Sequence, residues 1–457
     1  MKFPLSFLTI SLLGTTVQAF PSLHLRDGAK FSGSIRDEAL YEDLKKQVEN
    51  HPAVQKRLLV HSLNTPIDEA FSVMTPTNDA LVTGKHAFVP PNFDAGDQRG
   101  PCPGLNALAN HNYIPHNGVV SMVDLIANVN AVFGMGIELI TILTIMGTVG
   151  VGDPLSLNPG FSIGGYTPKV ANLLGNLGGL MGTPRGLDGA HNWIEADSSN
   201  TRDDLYVTGD SSTMNMTLFL QIANGADSEV ITMQDIGKRA AERLAYSKTT
   251  NPYLYYGPYT GMIARNAGFA FSGRLLSNHT AEHPDGYLTQ GVLRSMFGVY
   301  KENGAFVYKK GWEQIPSNWY RTPVDYGLVS LNVDLLAWMA EYPTLASIGG
   351  NTGTVNSFAG LDISDITGGV LNAESLLEGN NLICFGLEVV KTFAPNSLSP
   401  LFAAIAVPLK LLLDVVNTSI LDITGCPDFG DMTMDGKPFF QGLQDTYPGA
   451  GKSGVSF

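Results

Sequence analysis

The sequence predicts a mainly α-helical protein, a single large helical domain with long glycine- and proline-rich loops. Three observations carry this. Apolar residues recur at three- and four-residue spacings in one stretch after another. The 50 glycines and 26 prolines among 457 residues imply many loops between those stretches. No internal repeat, heptad pattern or low-complexity linker divides the chain, and 44% hydrophobic against 15% charged residues describes a globular core beneath a sparsely charged surface.

Residues 1–19 read as a signal peptide: Lys2 supplies the positive start, Phe7 to Leu13 the apolar stretch, and Val17-Gln18-Ala19 the small residues of a cleavage site. Residues 20–85 read as an N-terminal pro-segment or arm, within which Ser34 to Arg57 is polar and helix-prone. The core domain is expected over 86–450, opening with the extended run His86-Ala87-Phe88-Val89-Pro90-Pro91. Helices are expected over 104–112, then Ser121 to Val132 after a turn at Pro115-His116-Asn117-Gly118. Met135 to Val151 is apolar, but it is short, carries Glu138 and several glycines, and so reads as a buried core helix rather than a membrane span.

Residues 152–192 are glycine-rich without periodicity, and Gly175 to Gly179 lacks the strand and glycine spacing of a dinucleotide site. Further helices are expected at Met214 to Ile222, at Gln234 to Tyr246 with Ala240, Ala241 and Leu244 inward, at Thr260 to Leu276 and at Leu288 to Phe297. Tyr326 to Tyr342 reads as helix or extended chain, and Gly349-Gly350-Asn351-Thr352-Gly353 as a tight loop. Leu401 to Val416 reads as a long apolar helix interrupted at Pro408.

The net charge of −14 and the lack of any basic run argue against nucleic-acid binding. Sequons begin at Asn215, Asn278 and Asn417, which suits a secreted surface. Three cysteines leave an odd thiol in a chain bound for an oxidising compartment. Cys384 and Cys426 flank the C-terminal apolar stretch and can close one loop, which leaves Cys102 unpaired.

Cys102 lies in Arg99-Gly100-Pro101-Cys102-Pro103-Gly104-Leu105-Asn106. Pro101 and Pro103 have no amide donor and fixed φ, and Pro103 biases Cys102 toward an extended backbone. The sulfur is therefore presented from a stiff turn at the mouth of a helix whose first position is Pro103 or Gly104. Free amides there, with Arg99, would favour a thiolate, the ligand that holds haem iron in oxygen-activating thiolate enzymes. A buried, inert thiol in a Pro-Gly loop fits the same spacing. In Glu195-Ala196-Asp197-Ser198-Ser199-Asn200-Thr201-Arg202, Glu195 and Ser199 share a face if the segment is helical. With the carbonyl of Ala196 they form an all-oxygen set suited to a hard cation such as Mg²⁺, although on their own these residues read first as a capped helix start.

The cysteine motif, the following Leu-Ala-Asn-His, and Glu-x-Asp-x-Ser-x-Thr-Arg strongly resemble the secreted fungal haem-thiolate peroxidases, the chloroperoxidase and unspecific peroxygenase family. The likeness continues through Asn215-Met216-Thr217-Leu218-Phe219, Gly311-Trp312-Glu313-Gln314-Ile315-Pro316 and Gly349 to Gly353. The resemblance implies a haem-thiolate peroxidase-like fold and haem b with Cys102 as the proximal iron ligand. It also implies a Mg²⁺ (or Mn²⁺) site of Glu195, Ala196 and Ser199 beside a haem propionate, and a disulfide between Cys384 and Cys426. Family members carry a distal glutamate that moves a proton for bound peroxide. On that pattern Asn266 takes the glutamate's place with Arg265 beside it, and no Asp or Glu lies between Pro252 and Thr280. His111 and His191 are isolated histidines with structural or haem-side roles open to them, and His279, within a sequon, reads as surface.

The function this implies is peroxide-driven oxidation or oxygenation of small aromatic or apolar molecules by a secreted enzyme. Its partners are hydrogen peroxide and a small substrate, without nucleic acid or a transmembrane segment. The alternative is a haem-binding protein on the same scaffold with weakened peroxide chemistry, or a haem-assisted isomerase or dehydratase.

Overall fold

The computed structural model describes residues 82–153, 158–170 and 183–452, except 227, 281, 284, 380, 383, 387, 388, 390–431 and 435. The expected signal peptide, most of the expected arm, Gly175 to Gly179, the apolar stretch 401–416, Asn417 and Cys426 lie outside the described residues.

The protein is mainly α-helical with several small sheets. Helix α1 (Pro103–Asn110) follows the cysteine turn, with Pro103 as its first residue and Cys102 as its N-cap. Strand β1 (Val119–Ser121) pairs antiparallel with β2 (Gly160–Ser162), and Gly118 donates to Pro115 O at 2.8 Å across the expected turn. Ser121 also starts α2 (Met122–Phe133), its hydroxyl accepting from the amide of Asp124 at 3.1 Å, while Gly134 ends the helix at φ 72°.

Helix α3 (Ile137–Val151) is almost wholly buried. At 15 residues it is about 22 Å long, short of the ~30 Å hydrocarbon core of a bilayer. No described helix is long and apolar enough to cross a membrane. Glu138 within it accepts from the amide of Leu328 at 3.0 Å, so its charge helps fix the start of a distant helix. Gly150 lets Trp193 pack on the α3 backbone and donate to Met146 O at 2.8 Å; a Cβ there would lie 1.8 Å from the indole nitrogen.

Short helices α4 (Leu205–Thr208) and α5 (Met216–Ala223) lead to β3 (Val230–Ile231) and α6 (Met233–Thr250). Thr232 and Asp235 form a capping box at the α6 start, and Ala240 and Leu244 are buried in the core as the spacing predicts, while Ala241 is only half-buried against it. After β4 (Tyr255–Tyr256) the chain makes a π-helical segment, Thr260–Arg265, that runs into α7 (Asn266–Arg274). β5 (Leu288–Thr289) pairs with β3 and is followed by α8 (Gln290–Met296), capped by Thr289. The hairpin β6 (Val299–Glu302) and β7 (Ala305–Tyr308) precedes α9 (Leu328–Glu341), so the Tyr326 to Tyr342 stretch is helical.

One expected loop is instead a strand. β8 (Gly349–Asn351) is the centre of a three-stranded antiparallel sheet between β4 and β9 (Phe358–Gly360). Its glycines read as turn residues, yet they serve close approach: a Cβ at Gly349 would meet Ala359 O at 2.0 Å. In the core α2 packs on α3, and α7 packs between α6 and α9. These two layers place the cysteine turn and the 260–274 helix in one molecule-wide core.

Candidate active site

The Cys102 backbone is extended, at φ −91° and ψ 108°, as the following proline requires. Asn106 closes the turn around it: Gly100 N donates to Asn106 Oδ1 at 3.0 Å, and Asn106 Nδ2 donates to Gly100 O at 2.9 Å. One turn on, Asn110 donates to Gly311 O at 2.7 Å and Glu313 O at 2.8 Å, lacing the 311–313 segment along α1. Cys102 is a free thiol and keeps part of its surface accessible, as do Pro101, Pro103 and Gly104 around it.

Burial pushes the Cys102 thiol up, and the amides of Leu105 and Gly104 and the charge of Arg202 pull the other way. The helix start therefore acts as expected but is outweighed. Arg99 does not play its expected part. Its guanidinium is turned to Asn110 Oδ1 (2.9 Å), Gln98 O (2.7 Å) and His116 O (2.8 Å), and it braces the turn mechanically. The cation within electrostatic reach of the sulfur is Arg202, which sequence spacing did not single out. Glu313 is also close in the electrostatic sense, fully buried, and held above the usual carboxylate range by that burial.

Glu195 to Arg202 is not helical. Ser198 sits at φ 58°, and the segment is held by tertiary bonds: Ser198 N to Asp204 Oδ1 (2.8 Å), Arg265 Nε to Ser198 O (2.9 Å) and Arg243 Nε to Ser199 O (3.1 Å). The shared helical face expected of Glu195 and Ser199 is therefore absent. Ala196 is buried, and the Ser199 hydroxyl donates to Arg202 O at 3.3 Å. Glu195 is engaged instead with His191, whose Nδ1 lies 2.7 Å from Glu195 Oε2 and whose Nε2 lies 4.0 Å from Asp197 Oδ1. Burial works against the His191 cation, but these carboxylates, Glu195 first, raise it to about 9. Burial and the charge of Asp204 push Asp197 up. Glu195 Oε1 is buried with no hydrogen-bond partner. Among the described residues no three His, Cys, Asp or Glu side chains gather as a metal centre, and the expected oxygen set contains a single carboxylate.

The distal expectation meets a different geometry. Arg265 and Asn266 are buried and spent on the fold. Arg265 donates to Ser198 O, to Asn266 Oδ1 (2.6 Å) and to Ala240 O (2.6 Å), and Asn266 Nδ2 donates to Tyr256 Oη (2.7 Å) and Met262 O (2.9 Å). The side of the helix that keeps accessible surface carries Ala264, Gly268 and Phe271. Tyr255 and Tyr256 of the aromatic run are buried, and Tyr256 Oη donates to Leu345 O at 2.7 Å.

Other sequence candidates are structural. His111 Nε2 accepts from Ile315 N at 3.1 Å while its Nδ1 pairs with His86 O at 2.7 Å. His279, expected at the surface, is buried with Nε2 3.2 Å from Arg274 O. The Asn278 amide is buried and donates to Asn318 O (3.1 Å), and Asn215 caps α5 while its amide donates to both Asp203 oxygens. Both amides are hydrogen-bonded within the fold. Cys384 is buried.

The family model described as "Peroxidase, family 2" matches residues 86–324, which include the cysteine turn, the Glu195 segment, the 260–274 helix and Glu313. An aromatic peroxidase, fscJ, of Fusarium equiseti is 52% identical over 446 residues, covering 96% of this chain and 97% of that protein. A dothistromin biosynthesis peroxidase, dotB, of Dothistroma septosporum is 40% identical over 369 residues, 80% of this chain and 86% of the relative. An aromatic peroxygenase of Coprinellus radians is 34% identical over 160 residues, 34% of this chain and 58% of that protein. With a free cysteine in a proline-locked turn at a helix start, and with relatives of this similarity along nearly its whole length, the chain belongs to the fungal haem-thiolate peroxidase family and is a haem-thiolate peroxidase or peroxygenase.

Proposed function

We propose that Cys102 is the proximal ligand of haem b, and that the protein uses hydrogen peroxide to oxidise or oxygenate small aromatic or apolar molecules outside the cell. The observation that carries this reading is Cys102 itself, a free, partly accessible thiol at a helix N-cap whose backbone two prolines and the Asn106–Gly100 bonds hold rigid. The donor set fits the group: a soft sulfur ligand, amides of Leu105 and Gly104 that favour its anion, and Arg202 to balance its charge. Haem on a thiolate supplies electron donation that favours O–O cleavage. The chain's own part is to fix the sulfur's direction and to keep the ligand charge compensated. Pro101, Pro103 and Asn106 do the first, and the helix amides with Arg202 do the second.

Glu195, the Ala196 carbonyl and Ser199 are the proposed Mg²⁺ (or Mn²⁺) ligands beside a propionate. Support comes from the buried Glu195 Oε1, which lacks a protein partner, and from a Ser199 hydroxyl whose proton is directed at Arg202 O, leaving its lone pairs available. His191 orients the other Glu195 oxygen. The helix over 260–274 offers no carboxylate. With Arg265 and Asn266 committed elsewhere, proton movement for bound peroxide falls to water or to a group outside that helix. The domain spans 86–450, residues 1–19 direct secretion, and Cys384 pairs with Cys426 in support of a compartment where Cys102 alone remains a thiol. Asn215, Asn278 and Asn417 are the glycan candidates. The aromatic substrate class agrees with the names of the relatives and with the apolar Ala264–Gly268–Phe271 face.

The test is peroxide-dependent turnover of a panel of phenols and polycyclic arenes by haem-loaded protein. Turnover that disappears in Cys102→Ser is expected. Haem-loaded protein that turns over no member of the panel would favour a scaffold with weakened peroxide chemistry, the reading that the missing carboxylate supports.

A further inference from the structure

A chain of ring contacts runs without a break from the Glu195 segment to the protein surface. At its inner end His191 is 1% exposed and pairs through Nδ1 with Glu195 Oε2. The His191 and Tyr206 ring centres are 5.4 Å apart, and those of Tyr206 and Tyr253 are 5.8 Å apart. Both pairs are edge-to-face, in direct contact. At the outer end the Lys452 ammonium lies 4.9 Å from the centre of the Tyr206 ring and 4.6 Å from that of Tyr253. Tyr206 itself is 37% exposed, and Tyr253 and Lys452 are half-buried beside it.

The Tyr206 phenol is suited to losing an electron and a proton together. Burial and the charge of Asp197 hold it above its ordinary value, so it keeps its proton at neutral pH. Its hydroxyl donates to Lys452 O at 2.7 Å, which orients the ring; a peptide carbonyl is no base, so a released proton goes to the water that wets the ring. Two phenol rings under one ammonium also present a surface on which another phenol can lie by aromatic and cation–π contact.

We propose that Tyr206, with Tyr253 beside it, is a second oxidation site, on the surface, for phenols carried by molecules too large to reach the iron, and that His191 links it electronically to the Glu195 side of the haem site. This rests on the proposed function, which sets a haem propionate beside Glu195, and adds to it a site and a substrate class. The overall balance is one hydrogen peroxide and two phenols giving two waters and two phenoxyl radicals. Peroxide breaks its O–O bond and takes up two electrons and two protons. Each phenol breaks its O–H bond and loses one of each. In each of the two single-electron steps Tyr206 passes an electron inward past His191 and its proton to water. It is then restored to the phenol by an electron and a proton from the substrate.

The experiment adds hydrogen peroxide to haem-loaded protein without substrate and records the electron paramagnetic resonance spectrum. It then compares oxidation of tyramine linked to dextran with oxygenation of naphthalene. The samples are the native chain, Tyr206→Phe, Tyr206→Trp and the double variant Tyr206→Phe with Tyr253→Phe, each with haem content and circular dichroism recorded. The native protein should show a tyrosyl signal that Tyr206→Phe loses. Oxidation of tyramine–dextran should be lost in the double variant and kept in Tyr206→Trp, whose ring can also be oxidised. Naphthalene oxygenation, which needs oxygen transfer at the iron, should be unchanged throughout. A native protein without a tyrosyl signal, unchanged tyramine–dextran oxidation in the double variant, or equal loss of both activities would overturn the inference. A native protein that takes up no thiolate-bound haem would overturn the proposed function, whereas the other outcomes, in haem-loaded protein, overturn the surface site alone.

Discussion

Asn106 and Gly100 exchange two hydrogen bonds, Gly100 N to Asn106 Oδ1 and Asn106 Nδ2 to Gly100 O, and so clamp the turn from Gly100 to Asn106 that contains Cys102. Both groups are buried, so losing the amide strands a donor and an acceptor. Asn106→Leu is expected to cost about 2–3 kcal/mol on the scale of two lost buried hydrogen bonds. Denaturant midpoints measure this. Asn106→Asp keeps only the acceptor and should fall between leucine and the native residue.

Asp204 is the buried anchor of the Glu195 to Arg202 segment. Its carboxylate accepts from Ser198 N, from Arg243 Nη2 at 2.9 Å and from Asn251 Nδ2 at 3.0 Å. Asp204→Ala leaves Arg243 buried without its partner, a change that typically costs about 3–5 kcal/mol. Thermal melting should show a large drop, and the double variant with Arg243→Met should recover part of it.

Glu195 links the segment to the proposed cation. Exchange of the native ion for Mn²⁺, followed by Mn²⁺ resonance spectroscopy, should show one tightly bound ion per chain. Glu195→Gln should release it and lower haem retention after gel filtration. A native protein with no bound Mg²⁺ or Mn²⁺ by elemental analysis would remove the cation from the account.

Two histidines tie the lead segment to α1. His86 Nδ1 pairs with His111 O at 2.8 Å, and His111 Nδ1 pairs with His86 O. Burial, the largest cause for each, holds both below the ordinary value of 6.5. Between its folded value and 6.5 the unfolded chain binds more protons than the folded one. Stability is therefore complete above 6.5 and falls as the pH drops through and below it. Urea midpoints from neutral to mildly acidic pH should show that fall, and His111→Gln should flatten it.

How much of this was legible in the sequence depends on where each constraint resides. The cysteine turn was readable because proline geometry and helix capping are local: Pro103 begins α1, and Ser121 caps α2, as their neighbours dictate. Whether the Glu195 segment is helical was not legible, because its shape comes from Asp204, Arg243 and Arg265, partners far along the chain or across the core. The glycines of β8 looked like turn residues because composition does not distinguish a tight turn from a crowded strand. Arg265 and Asn266 were placed by likeness of motif, and the partners that hold them on the packed side, Ser198 O, Ala240 O and Tyr256 Oη, are not neighbours that spacing reveals. His191 and Glu195 are four residues apart, a signal that was present but led toward Ser199 instead.

The central claim is that Cys102 ligates haem iron as a thiolate. The ferrous-carbonyl spectrum of reconstituted protein tests it most directly, with Cys102→Ser as the partner sample and far-ultraviolet circular dichroism to show that both are folded. The account predicts the red-shifted Soret band of thiolate ligation in the native protein and its loss in folded Cys102→Ser. A native spectrum without that band, or an unchanged band in the folded variant, would contradict it.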